Sequence, residues 1–192
     1  YFHALFWPAM LHVGGFQAPE KVNVHGFLTV NGEKMSKSRG TFIQAKTYLE
    51  TQNPEFLRYY YASKLNGTME DIDLNLEDFV FKLNSDVLGK VINIASRLSS
   101  VLHKKCGGEL TQLDPEGRSL CDTIEAARDG IEAAYESLQF SKAMRLIMGL
   151  ADQTNQYIDA KAPWSMAKTD PEEAAKVCTS GLNAHRLLMI YL

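Results

Sequence analysis

The chain has 192 residues, 45% hydrophobic and 22% charged, with a formal net charge of −3. That length holds one or two domains with real cores, and the composition is ordinary for a soluble globular protein. The slightly acidic balance excludes an overall basic field, so any contact with RNA has to be local. One local candidate is the stretch from Val80 to Lys105, where Lys82, Lys90, Arg97, Lys104 and Lys105 face Asp86 alone, a net +4. The three cysteines, Cys106, Cys121 and Cys178, are far apart and form no C-x-x-C pair. This argues against a disulfide framework and a structural zinc site, and reduced thiols fit the cytosol. No apolar run approaches the ~20 residues of a membrane span, and no signal-peptide layout is present. The chain opens at Tyr1 directly in apolar sequence, which reads as a piece cut from within a larger domain.

Tyr1 to Val13 has helical periodicity, with Phe2, Leu5, Phe6 and Met10 on one face and Pro8 awkward if interior. His3 and Trp7 are four apart and share a face. Two readings stay open for them: an aromatic patch on a core, or a pocket wall for a soft thioether side chain. Gly14 to Glu20 is a loop. Val22 to Val30 is rich in β-formers and predicts a buried strand. Asn31-Gly32 follows as a tight-turn signal, then Lys34-Met35-Ser36-Lys37-Ser38 and Arg39-Gly40-Thr41. Lysines acting as point charges, with serine hydroxyls and glycine amides, suit a step where negative charge builds on phosphate oxygens. By composition alone, a solvated turn is the simpler reading of the same residues.

Phe42 to Glu50 predicts a short helix, and Asn53 caps the next, with Pro54 in its first turn. Tyr59, Tyr60 and Tyr61 read as packing residues. Asp71-Ile72-Asp73-Leu74-Asn75 starts like a calcium loop, but its sixth position is Leu76, not glycine, and its twelfth is Lys82, not glutamate. It reads instead as a polar turn ending in an N-cap at Asn75. From Leu76 the pattern is helical. Val80, Leu83, Val87, Val91, Ile94, Leu98 and Val101 mark one long helix, locally weakened by Gly89 and stopped by Gly107-Gly108. A second helix runs from Asp114-Pro115 to about Leu138, a third from about Ser141 to Ala162. Pro163 breaks that one, and Asp170-Pro171 starts the last. Four or five amphipathic helices with short joints make a bundle. Asn93 and Arg97 point the same way, and Trp164 follows a helix break where an indole can stand exposed for a base to stack on. Bland readings are a polar surface residue, a solvated charge and a core plug.

The order Lys-Met-Ser-Lys-Ser-Arg-Gly resembles the second signature of class I aminoacyl-tRNA synthetases. "YFHALFWPAML", D-x-D-x-x-x-x-D-F at Asp71, Asp73, Asp78 and Phe79, "N-x-A-S-R" and "A-P-W" resemble the methionyl-tRNA synthetase family, over essentially the whole chain. The other class I signature, H-I-G-H, does not occur in the chain, and Gly89 stands where family members can carry asparagine. The resemblance implies a mainly α chain: the remnant of a Rossmann-type catalytic domain and a connecting stem-contact segment over residues 1–75, then a helical-bundle anticodon-binding domain over 76–192. It implies ATP-dependent activation of methionine to methionyl-adenylate and transfer to tRNA(Met). Lys34 and Lys37 become catalytic, and Lys34, Met35, Ser36, Lys37 and Ser38 an ATP-binding loop. His3, Phe6 and Trp7 become methionine-binding; Asn93, Arg97, Pro163 and Trp164 bind the anticodon. ATP and Mg2+ are the implied cofactors, with no metal site and no membrane in these residues and a cytoplasmic location. The chain alone is expected to bind the anticodon without charging tRNA. The rival readings are a non-catalytic tRNA-binding module and a class I synthetase for another amino acid.

Overall fold

The computed structural model describes residues 1–36, 38 and 42–192. The chain opens with a wide helical turn, Phe2–Phe6, in which Phe6 N donates to Tyr1 O five residues back, and continues as α1 (Trp7–Val13). Pro8 falls in the first turn of α1, where its missing N–H is tolerated. The predicted strand is much shorter than Val22 to Val30. Only β1 (Leu28–Val30) forms a ladder, and Val30 alone of its residues is buried. Val22, Val24 and Phe27 are exposed, because ladder pairing begins only where β3 runs alongside. Backbone contact does extend one step back to Gly26, whose amide reaches Glu70 O and where a Cβ would lie 2.3 Å from that oxygen.

Asn31 (φ 49°) and Gly32 (φ 78°) close a two-residue turn into β2 (Glu33–Lys34), pairing Val30 with Glu33. Positive φ at both central positions is what Asn-Gly accepts at low cost. After α2 (Ala45–Thr51) and α3 (Pro54–Lys64) comes β3 (Ile72–Leu74). A strand therefore replaces the expected polar turn. Ile72 and Leu74 are buried while Asp73 between them faces the turn, a period-two pattern hidden by two aspartates. The sheet order is β2-β1-β3, with β1 and β3 parallel.

The long helix starts at the Asn75 cap as α4 (Leu76–Lys82) and ends as α5 (Asn93–Lys105). Its middle, Leu83–Ile92, is wound wide, so that Asn93 N reaches Leu88 O. Gly89 sits inside this stretch, where a Cβ would come 2.9 Å from the Asn84 carbonyl. Gly107 and Gly108 end α5 with φ of 79° and 82°. The expected second helix is two, α6 (Pro115–Ala126) and α7 (Arg128–Glu136), bent at Ala127. Then come α8 (Phe140–Lys161), the four-residue α9 (Pro163–Met166) and α10 (Pro171–Tyr191). Ile94 and Leu98 of α5, Ile124 of α6, Ile147 and Ile158 of α8 and Leu188 of α10 are fully buried in one core. Each such side chain stabilises the fold by about 1.5–3 kcal/mol. Tyr60 and Leu74 join Val30 in a smaller core under the sheet, with Met35 and Phe79 packed against it. The tyrosine triplet packs as expected at Tyr59 and Tyr60.

Candidate phosphate loop and nucleic-acid interface

The hairpin places Lys34 at the end of β2, exposed, with Nζ 5.3 Å from the centre of the Phe27 ring. Met35 leans into the small core, and Ser36 Oγ lies 3.0 Å from Ser38 Oγ. Lys37 lies outside the described residues. The turn is fastened from β3. Asp73 Oδ1 accepts the Gly32 amide at 2.8 Å and the Thr29 hydroxyl at 2.7 Å, and Asp71 accepts the Phe27 amide at 2.7 Å. Below, the Tyr60 hydroxyl donates to Asp78 at 3.0 Å, and Lys64 also pairs with Asp78. The Lys64 hydrogen bond holds the Asp78 carboxyl below the usual carboxylate range.

At the other end of the early segment, His3, Phe6 and Trp7 line one open groove of about 430 Å3 with Phe2 and Met10. The structure thus brings the three predicted residues together. Phe6 and Trp7 remain more than half exposed, so no core among the described residues covers this face.

The third constellation spans α5, α8 and α9. The Arg97 guanidinium stacks on the Trp164 ring at 4.4 Å, while its Nη2 donates to Asp159 at 2.7 Å. Such stacking contributes about 0.5–2 kcal/mol, more as the pair is desolvated. Asn93 is half-buried one turn earlier on the same helix. Ala162 turns the chain in the left-handed region, φ 44°, and Pro163 starts α9. Pro163 is buried, so it directs the chain rather than presenting a surface. Trp164 is neither free nor fully enclosed. It is half-buried, packed against the bundle core, and Lys105 holds its carbonyl at 3.1 Å. The structure brings Arg97 and Trp164 into contact and sets Asn93 one turn before Arg97 on α5. Three participants escaped the sequence reading: Phe27, Asp73 and Asp159. For Asp159 a signal existed, an acid on the last turn of α8 five residues before Trp164. Asp73 was read as part of a polar turn and of a family pattern, not as the acceptor for the Gly32 amide.

Residues 1–99 match the sequence pattern of the family described as "tRNA synthetases class I (M)", and residues 107–191 that of the "anticodon binding domain of methionyl tRNA ligase". The methionine–tRNA ligase of Thiobacillus denitrificans is 57% identical over 196 residues, covering 100% of this chain and 28% of that protein. The chain therefore spans just over a quarter of that relative's length. Among solved structures, Mycobacterium tuberculosis methionyl-tRNA synthetase in complex with methionyl-adenylate is 25% identical, with a TM-score of 0.79 over 99% of this chain and 38% of the other. A second structure of that enzyme, also bound by methionyl-adenylate, is 23% identical with a TM-score of 0.80 over the same shares, a likeness of fold. On the family match to residues 1–99, the chain belongs to the methionyl-tRNA synthetase family of class I tRNA synthetases.

Proposed function

We propose that this chain is the part of a methionine–tRNA ligase that joins the phosphate loop of the ATP site to the reader of the tRNA(Met) anticodon. The observation that carries the reading is the pairing of an intact Lys-Met-Ser-Lys-Ser sequence, which begins where the β1–β2 hairpin ends, with an Arg97–Trp164 stack on the adjoining bundle. Residues 1–75 serve as the end of the catalytic domain and the stem-contact segment, and 76–192 as the anticodon-binding bundle. The sheet and its hairpin all fall before the Asn75 cap, which supports that division.

In this reading a methionine carboxylate oxygen attacks the α-phosphate of ATP and pyrophosphate leaves. A hydroxyl of the 3′-terminal ribose of the tRNA then attacks the carbonyl carbon of the methionyl-adenylate, an ester forms as the acyl–phosphate bond breaks, and AMP leaves. Lys34 and Lys37 stabilise charge developing on the leaving pyrophosphate, and Met35, Ser36 and Ser38 shape the loop around the nucleotide. No proton-transfer residue is needed, because positioning and electrostatics dominate phosphoryl chemistry. Among the described residues no three His, Cys, Asp or Glu side chains converge as metal ligands. Mg2+ would arrive with ATP, held by the nucleotide's phosphates. His3, Phe6 and Trp7 form part of the methionine pocket. Asn93 and Arg97 contact anticodon base edges, Trp164 stacks on a base, and Pro163 aims the indole.

The test is ATP–pyrophosphate exchange. Lys34→Ala in the full-length ligase should slow exchange by about 10²–10³ while methionine binding changes little. The 192-residue chain alone should show no exchange. Equal losses in exchange and methionine affinity, or exchange by the chain alone, would refute the reading.

A further inference from the structure

β2 has only two residues, so the hairpin that aims Lys34 has little ladder to hold it. Asp73 supplies what the ladder lacks. It lies mid-strand in β3, opposite Thr29 of β1 in parallel register. Both the Gly32 amide and the Thr29 hydroxyl end on the same oxygen, Oδ1. Bonds to a carboxylate are about twice as strong as neutral ones. The other half of the turn is tied to the same strand and to α4. Asn31 N donates to Leu74 O at 3.1 Å, and Asn31 Oδ1 accepts the Leu76 amide at 3.2 Å. The Asp73 main-chain carbonyl accepts the hydroxyl of Tyr60, which is fully buried, at 3.3 Å, so the strand itself is anchored to α3.

We propose that Asp73 is a positioning residue for Lys34, acting through the Gly32 amide to hold the turn that presents the lysine to the nucleotide phosphates. This rests on the reading of the hairpin as the ATP loop. Asp73 touches no reacting atom; its effect is on where Lys34 stands when pyrophosphate charge develops. What the turn requires at position 73 is an acceptor oxygen. Asp73→Asn keeps a carbonyl oxygen there, and Asp73→Ala removes it.

Two measurements test the proposal. In the full-length ligase, Asp73→Ala should lower kcat for ATP–pyrophosphate exchange by about tenfold or more, with KM for methionine within about twofold, and Asp73→Asn should recover most of the rate. In the 192-residue chain, amide hydrogen exchange at Gly32 should speed up by about tenfold in Asp73→Ala and stay near wild type in Asp73→Asn. Matching losses in kcat and methionine affinity, an asparagine variant as poor as alanine, or unchanged Gly32 exchange would overturn it. A wild-type ligase that performs no exchange while Gly32 behaves as expected would instead refute the phosphate-loop reading, and the catalytic consequence of Asp73 with it.

Discussion

Asp114 is 2% exposed, yet it is a carboxylate. Its Oδ1 accepts the Tyr157 hydroxyl at 2.5 Å and the Ser180 hydroxyl at 2.7 Å, and Lys161 Nζ stands 3.8 Å from Oδ2. Burial pushes the carboxyl up, but the Tyr157 and Ser180 hydrogen bonds and the Lys161 charge outweigh it and leave it below the ordinary range. Burial and the neighbouring carboxylate push the Tyr157 hydroxyl well up, so it stays a donor. Because the folded value of Asp114 is depressed, its contribution is full above the unfolded carboxylate pKa and is lost as pH falls through the folded one. Asp114→Ala strands two hydroxyls and should cost about 1–3 kcal/mol at neutral pH. Urea denaturation should show that loss and a shallower decline in stability below about pH 4. Unchanged stability at pH 7 would contradict this account of the network.

At the scale of elements, α6 meets α10 where Gly117 lies against Ser180. A Cβ on Gly117 would stand 2.2 Å from Ser180 Cβ and 2.4 Å from Asp114 Oδ1. Gly117→Ala should therefore destabilise the bundle by about 1–3 kcal/mol, read as a lower urea midpoint at unchanged slope. A wild-type midpoint would mean that α6 has room to shift. Helix starts were legible because caps are local chemistry. Asn53, Asn75 and Asp170 each accept a backbone amide two or three residues on, as their residue types require. The Asn31-Gly32 turn was legible for the same reason. β3 was not, because Asp73 serves a turn 41 residues away, and with Asp71 just before the strand it masks the alternation of Ile72 and Leu74. The wide winding of Leu83–Ile92 was not legible either. Its apolar residues keep the ordinary helical spacing, and Gly89 announced only a weak point.

At the scale of the molecule, a small mixed sheet and the hairpin that ends at Lys34 are continuous with a bundle that stacks an arginine on a tryptophan. α3 is the physical link: Tyr60 supports the sheet, while Tyr59 donates to Asp86 in the wide segment at 2.8 Å. Both candidate sites could be located from motifs, since Lys34, Asn93, Arg97 and Trp164 stand in recognisable surroundings. Their tertiary partners could not, because nothing local pairs Phe27 with Lys34 or Asp73 with Gly32, and Asp159 offered only its place on the last turn of α8 before Trp164. In the proposed function the bundle reads the anticodon CAU through Trp164 and its neighbours on α5. The most direct measurement is the affinity of the 192-residue chain for an anticodon stem-loop bearing CAU and for one with a changed anticodon, each repeated with Trp164→Ala. The account predicts tighter binding of CAU by the wild-type chain and a loss of about tenfold or more in the variant, with the preference between anticodons largely gone. Equal affinity for both RNAs in the wild-type chain, or a preference that survives Trp164→Ala intact, would contradict it.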